Sequence, residues 1–151
     1  MNVRISQISS SVGEQVTIAG WLYNKRSSGK IVFLELRDGS GFLQAIVSKS
    51  EVSEETWAAA ESLTQESSLK VTGTIVAHPK KEGVFELQVA NIEVVHIAAE
   101  YPIALKEHGP DFLLDKRHLW LRSKRQWAIQ RVRDCVIDAI YDFFHQNDYV
   151  K

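Results

Sequence analysis

The chain has 151 residues, a formal net charge of −1, 44% hydrophobic residues and 25% charged residues, values of a folded globular protein and not of a disordered one. No apolar run approaches the roughly 18 residues that cross a bilayer, and the N-terminus MNVRISQISSSVGEQ has no apolar stretch of an export signal, so no membrane association and a cytoplasmic location are expected. A single cysteine, Cys135, excludes an intrachain disulfide framework, and the five histidines show no metal-ligand spacing, so no metal site is expected.

Residues 5–13 predict a short helical turn ending at Gly13. VTIAGWLYN (16–24) alternates and is rich in β-formers, which predicts a strand broken at Ser27-Ser28-Gly29. A second strand, IVFLELR (31–37), runs into Asp38-Gly39-Ser40-Gly41, a strong turn signal, and FLQAIVS (42–48) returns as the third. A helix follows, capped by Ser53, with Val52 and Trp57 spaced as a hydrophobic staple. LKVTGTIVA (69–77) and VFELQVANIEVV (84–95) predict two more strands about a turn at Lys80-Lys81-Glu82-Gly83. Three strands, a helix and two strands are the element order of an OB-fold, a five-stranded Greek-key barrel; the fold class is mainly β with α.

Residues 98–121 lack a strong period and predict an extended linker with a partly packed end. From Ser123 the pattern sharpens. Ser123 and Gln126 fit a capping box, and Ile129, Val132, Val136, Ile140, Phe143 and Phe144 form one apolar stripe of a long amphipathic helix ended by a left-handed Asn147. Cys135 lies between stripe positions and reads as a small buried hydrophobe. Charge is polarised along the chain: residues 24–37 carry Lys25, Arg26, Lys30 and Arg37 against Glu35 alone, residues 51–66 hold five glutamates and no base, and residues 116–133 hold seven Lys or Arg and no acid. Such a polarised protein can steer a polyanion to one face despite its near-zero total.

With Arg37 opposite Phe42, the second and third strands pair Glu35 with Gln44 and Phe33 with Ile46. Period-two alternation then puts Val32, Leu34, Leu36, Leu43, Ala45 and Val47 in the core, and Phe33, Glu35, Arg37 and Gln44 outside. An exposed ring beside an amide suits one unpaired base: the ring offers a stacking face, the amide a donor and an acceptor. Arg26, at the end of the first strand, is placed to hold a phosphate or a base carbonyl. The competing structural reading has Phe33 covering a hydrophobic rim and Gln44 meeting Glu35.

Gly20-Trp21-Leu22, Lys25-Arg26, Phe33-Leu34-Glu35-Leu36-Arg37-Asp38-Gly39 and Gln44 resemble the anticodon-binding barrel of the class IIb aminoacyl-tRNA synthetases. Tyr101-Pro102-Ile103, Lys106, His108-Gly109, Asp111-Phe112-Leu113-Leu114-Asp115 and Arg117-His118-Leu119-Trp120-Leu121-Arg122-Ser123 resemble the hinge of bacterial asparaginyl-tRNA synthetases, and Arg125-Gln126 with the helix through Phe143-Phe144 resembles the start of class II motif 1. The resemblance implies an OB-fold anticodon-binding domain over 1–97, a hinge over 98–121 and the start of a class II catalytic domain over 122–151. It implies that Phe33 stacks on the central anticodon uridine while Gln44 and Arg26 hydrogen-bond around it, and it suggests the turn at Lys80-Lys81-Glu82 for a flanking base. The partners implied are the tRNA for asparagine and a second subunit, docked through the 123–147 helix. ATP and magnesium are implied for the parent ligase, with no cofactor bound by these residues. Motifs 2 and 3 are absent from the 151 residues, so no catalytic residue is assigned. The alternatives are a stand-alone OB module that binds tRNA or single strands without catalysis, and an interaction protein that dimerises through the long helix.

Overall fold

The computed structural model describes residues 2–103 and 106–150; residues 1, 104, 105 and 151, two of them within the expected linker, lie outside the described residues. The chain forms two compact units, Met1–Tyr101 and Pro102–Lys151.

The first unit opens with a 3-10 helix, Ile5–Ser11, followed by Gly13 at φ +83°. Five strands follow, β1 Gln15–Ser28, β2 Ile31–Arg37, β3 Phe42–Ser48, β4 Ser68–Ala77 and β5 Phe85–His96, with helix α1, Glu54–Ser62, between β3 and β4. They close into a barrel in the order β1-β2-β3-β5-β4. All pairings are antiparallel except β3 with β5, where Gln44, Ala45 and Ile46 lie beside Glu86, Leu87 and Gln88 in parallel. This is the expected OB-fold. β1 runs four residues past the expected end and turns at Gly29, whose φ of +61° suits glycine. Ser27 and Ser28 remain in the sheet because Val32 and Ile31 pair with them.

The β2–β3 register is the expected one, with Arg37 opposite Phe42, Glu35 opposite Gln44 and Phe33 opposite Ile46. Val32, Leu34, Leu36, Leu43, Ala45 and Val47 are each at most 2% exposed. Asp38 ties the intervening turn: its Oδ1 accepts from Ser40 N–H, Ser40 O–H and Gly41 N–H, and its Oδ2 accepts from Ile5 N–H, pinning the N-terminal turn to the barrel. Ser53 caps α1 by accepting from Thr56 N–H, and Val52, Trp57, Ala60 and Leu63 join the core, so α1 plugs one end of the barrel.

Arg37 departs from the expected open face. Its guanidinium donates from Nη1 to Glu66 Oε1 at 2.9 Å and from Nη2 to Glu66 Oε2 at 2.8 Å, with side-chain exposures of 10% and 4%. Glu66 reaches it from the connection before β4, in a left-handed conformation at φ +67°, while Glu66 N–H donates to Leu22 O. Trp21 and Tyr23 lie against the guanidinium, 5.8 and 6.0 Å from ring centroid to Cζ. The pair staples the α1–β4 connection to β1 and β2.

In the second unit, the expected extended linker contains two short helices, α2 Pro110–Asp115 and α3 Arg117–Trp120. Pro110 occupies the first turn of α2, where its missing N–H costs no helical bond. Helix α4, Lys124–Gln146, begins at Ser123, whose Oγ accepts from Gln126 N–H at 3.4 Å, the first half of the expected capping box; in place of the second half, Ser123 N–H donates to Trp120 O. It ends differently: Asn147 has φ −107° and donates from Nδ2 to Phe143 O, while Asp148 takes the left-handed conformation at φ +60°. Cys135 is exposed, not buried, since no residue of α4 is buried among the described residues.

Three substitutions measure these constraints by urea unfolding of the chain. Gly73 sits at the β4–β5 bulge, where a Cβ would collide with the Gln88 carbonyl oxygen and lie 3.0 Å from Val89 Cα, both backbone; Gly73→Ala is expected to destabilise by about 2–3 kcal/mol. Arg37→Met strands a buried carboxylate and is expected to cost about 3–5 kcal/mol, whereas Lys70→Met, which breaks the exposed Lys70–Glu93 pair, costs less than about 1 kcal/mol.

Candidate nucleic-acid interface

A single extra residue in β1 creates the site. Val16, Ile18 and Leu22 face inward, and Leu22 stands opposite Leu36; Asn24, two residues on, stands opposite Glu35, only one residue back. Tyr23 is the bulged residue. Strict alternation from Leu22 would turn residue 26 toward the core. The bulge shifts the phase, so that Arg26 stands opposite Phe33 on the outer face and Lys25 opposite Leu34 on the inner one.

Both side chains act on that placement. The Arg26 guanidinium lies over the Phe33 ring, 4.7 Å from its centroid, and donates from Nη2 to Gln44 Oε1 at 3.1 Å. Lys25 extends along the barrel end, where its Nζ donates to Ala60 O, Glu61 O and Leu63 O at 3.4, 2.7 and 2.6 Å. It thus serves the C-terminal carbonyls of α1, where a cation is favoured. Burial lowers the Lys25 pKa below its usual 10.5, and the Glu61 carboxylate partly restores it. Lys25 therefore belongs to the scaffold, although the charge run 24–37 places it beside Arg26.

Arg26, Phe33 and Gln44, the three residues named from the sequence, line one cleft of about 260 Å³ with Asn24, Glu35 and Phe42. Phe33 and Gln44 are half-buried and Arg26 is exposed. Phe42 is braced edge-on by Tyr23, with ring centroids 5.0 Å apart. The amide of Gln44 bonds to Arg26 and, through Nε2, to Glu86 Oε1 at 2.7 Å. Phe33 thus presents a ring to an open cleft beside a polar amide and a cation, a set that can stack a planar base and bond its edge. Arg37, expected on this face, is held by Glu66 and takes no place in the cleft.

Two residues of the site escape the sequence. Glu86 is 5% exposed although it faces outward from β5, and His78 at the end of β4 brings Nε2 within 3.6 Å of Glu86 Oε1. Their only sequence signal is a carboxylate in the strand FELQV, which period-two alternation assigns to solvent together with Gln88. Their convergence on Gln44 depends on the parallel β3–β5 pairing, which joins residues 42 positions apart. The turn residues Lys80 and Lys81 lie outside the cleft lining.

Comparison with known proteins adds a family. The chain is 56% identical over 143 residues to the asparagine–tRNA ligase of Sorangium cellulosum, a match covering 94% of this chain and 32% of that protein. Its structure resembles that of asparaginyl-tRNA synthetase from Pyrococcus horikoshii, with a TM-score of 0.88, 34% identity and coverage of 97% of this chain and 36% of that one. It also resembles asparaginyl-tRNA synthetase from Entamoeba histolytica in complex with asparaginyl-adenylate, with a TM-score of 0.80, 26% identity and coverage of 99% and 36%. The chain therefore spans about a third of the length of these relatives. Residues 16–95, from β1 to the end of β5, match the tRNA anti-codon family model, described as an OB-fold nucleic acid binding domain. With a closed five-stranded barrel whose β1–β3 face carries an open cleft, and with residues 16–95 matched by that model, the chain belongs to the tRNA anti-codon family of OB-fold nucleic acid binding domains.

Proposed function

We propose that this chain is the tRNA-reading portion of an asparagine–tRNA ligase and that its barrel takes the central base of the anticodon loop onto Phe33. The observation that carries the reading is the convergence of Arg26, Phe33 and Gln44, from three strands, on one cleft. An incoming base displaces Arg26 from the ring. An exposed cation–π contact is worth about 0.5–1 kcal/mol, and stacking of a base on an aromatic side chain about 1–3 kcal/mol, so the exchange is favourable. The released guanidinium stays within reach of a base carbonyl or the neighbouring phosphate. In this reading residues 1–97 are the anticodon-binding domain, 98–121 the hinge and 122–151 the start of the catalytic domain, and the likeness to asparagine–tRNA ligases over nearly the whole chain supports it.

The whole ligase attaches asparagine to its tRNA with ATP and magnesium, as a cytoplasmic homodimer joined through the 123–147 helix. That helix carries an exposed apolar stripe, Val132, Val136, Ile140 and Phe143, each more than half exposed, which suits a protein partner. The chain spans about a third of the length of these ligases, and the chemistry of ATP and magnesium is assigned to the remainder.

Phe33→Ala is expected to weaken binding of a hairpin carrying the asparagine anticodon loop by about 5- to 150-fold, the loss of one stacked base, measured by fluorescence anisotropy at fixed salt. Phe33→Trp retains the affinity. Equal affinities for the native chain and Phe33→Ala contradict the assignment.

A further inference from the structure

Past Trp21 the outer part of β1 loses one of its two neighbours. β1 pairs with β4 over Gln15–Trp21, and Leu22 exchanges backbone bonds with Glu66 and Ser67 of the connection that follows α1. Among the described strands, residues 24–28 pair with β2 alone, and the Lys25 N–H turns to the side-chain oxygen of Asn24. An edge held by one row of bonds opens more readily than a strand held by two. This edge carries Arg26 to the cleft, and Lys25 ties it down from the other side, with Nζ 2.7 Å from Glu61 O and 2.6 Å from Leu63 O. The next residue starts a second knot. Thr64 Oγ1 donates to Ala98 O at 2.7 Å, while the N–H groups of Ala98 and Thr64 both donate to Ser67 Oγ, at 3.1 and 3.2 Å. With its own hydrogen given to Ala98, Thr64 Oγ1 accepts from the Ser67 hydroxyl 2.9 Å away, so both hydroxyl hydrogens are placed. Ser67 is fully buried, and Ala98, two residues past the end of β5, is held at its N–H and its C=O by this one connection.

We propose that Lys25 is a positioning residue that couples occupancy of the cleft to Ala98, where the chain leaves the barrel. The inference rests on the base-reading assigned above to Phe33. Four links join the two places: Arg26 to Lys25 along β1, Lys25 Nζ to Leu63 O, Leu63 to Thr64 along the chain, and Thr64 Oγ1 to Ala98 O. In the free chain the edge 24–28 moves, and the Lys25 bonds break and reform with it. A base held beside Arg26 restrains the edge, which keeps the Lys25 bonds made, Leu63 and Thr64 in place, and Ala98 anchored. The coupling is carried by restraint of motion and needs no displacement of the barrel. It is reciprocal: whatever anchors Ala98 more firmly also favours the occupied cleft, and by the same factor. Lys25 touches no base in this scheme.

Amide hydrogen exchange read residue by residue by NMR tests this, on the full chain with and without a saturating hairpin that carries the asparagine anticodon loop. The Ala98 amide reports the anchor, and the Gly13 amide, bonded to Ile75 O outside these links, reports general stabilisation. In the native chain the hairpin is expected to slow exchange at Ala98 at least about fivefold more than at Gly13, the lower end of ordinary coupling. In Lys25→Met the hairpin still binds and the excess disappears, and Lys25→Arg, which keeps a cation on the same carbonyls, restores it. Should Lys25→Met unfold, Thr64→Val takes its place: it cuts the last link away from the cleft, and by reciprocity it weakens hairpin binding about threefold or more. Equal slowing at Ala98 and Gly13 in the native chain, an excess that survives in Lys25→Met, or a folded Thr64→Val with native affinity overturns the coupling. Failure of Phe33→Ala to weaken the hairpin overturns instead the base-reading on which it rests.

Discussion

The register of β2 against β3 is the constraint on which the rest depends. Six side chains of these two strands, Val32, Leu34, Leu36, Leu43, Ala45 and Val47, fill the barrel interior with almost no exposure. Because side chains alternate with period two, a slip of one residue would carry Phe33, Glu35 and Gln44 into that interior and bring the aliphatic set out. Burial of each larger aliphatic side chain stabilises by about 1.5–3 kcal/mol, so the core enforces the register, and the register places the ring and the amide outside. The recognition surface is the reverse side of the hydrophobic core.

Two irregularities convert that surface into a site. The Tyr23 bulge changes the phase of β1, aiming Arg26 across Phe33 and sending Lys25 to the end of α1. The parallel closure of β3 on β5 sets Glu86 beside Gln44. Neither adds to the core; the bulge orients Arg26 and Lys25, and the closure orients Glu86. The buried Arg37–Glu66 pair, set behind Trp21 and Tyr23, holds β1 at the bulge and ties it to the connection that follows α1. Scaffold and site thus share strands but use alternate residues of them.

What was legible in the sequence is what depends on near neighbours. Alternation in 31–37 and 42–48, with the Asp38–Gly41 turn between them, yields the hairpin register, and from it the shared face of Phe33 and Gln44. Ser53 and Ser123 announce their helices because a cap needs only the next turn. The departures come from partners distant in sequence or from local competition. Arg37 reads as an outer-face cation until Glu66, 29 residues later, closes on it. Lys25 reads as part of a basic run until α1 presents its carbonyls. The bulge leaves no mark in composition, since Tyr23 suits a strand with or without it, and the Glu86 carboxylate gains its meaning only when the barrel closes. At the end of α4, Asn147 and Asp148 both tolerate the left-handed conformation, and the bond from Asn147 Nδ2 to Phe143 O leaves it to Asp148.

The central claim is that one unpaired base lies flat against the Phe33 ring. Fluorine NMR of a hairpin with 5-fluorouridine at the middle of its loop tests this directly, because an aromatic face shields a nucleus stacked on it. Binding to the native chain is predicted to move the resonance upfield, and binding to a Phe33→Leu variant, at saturating protein, to leave it near its free position. A resonance that stays in place on binding to the native chain, or that moves equally with both, contradicts the account.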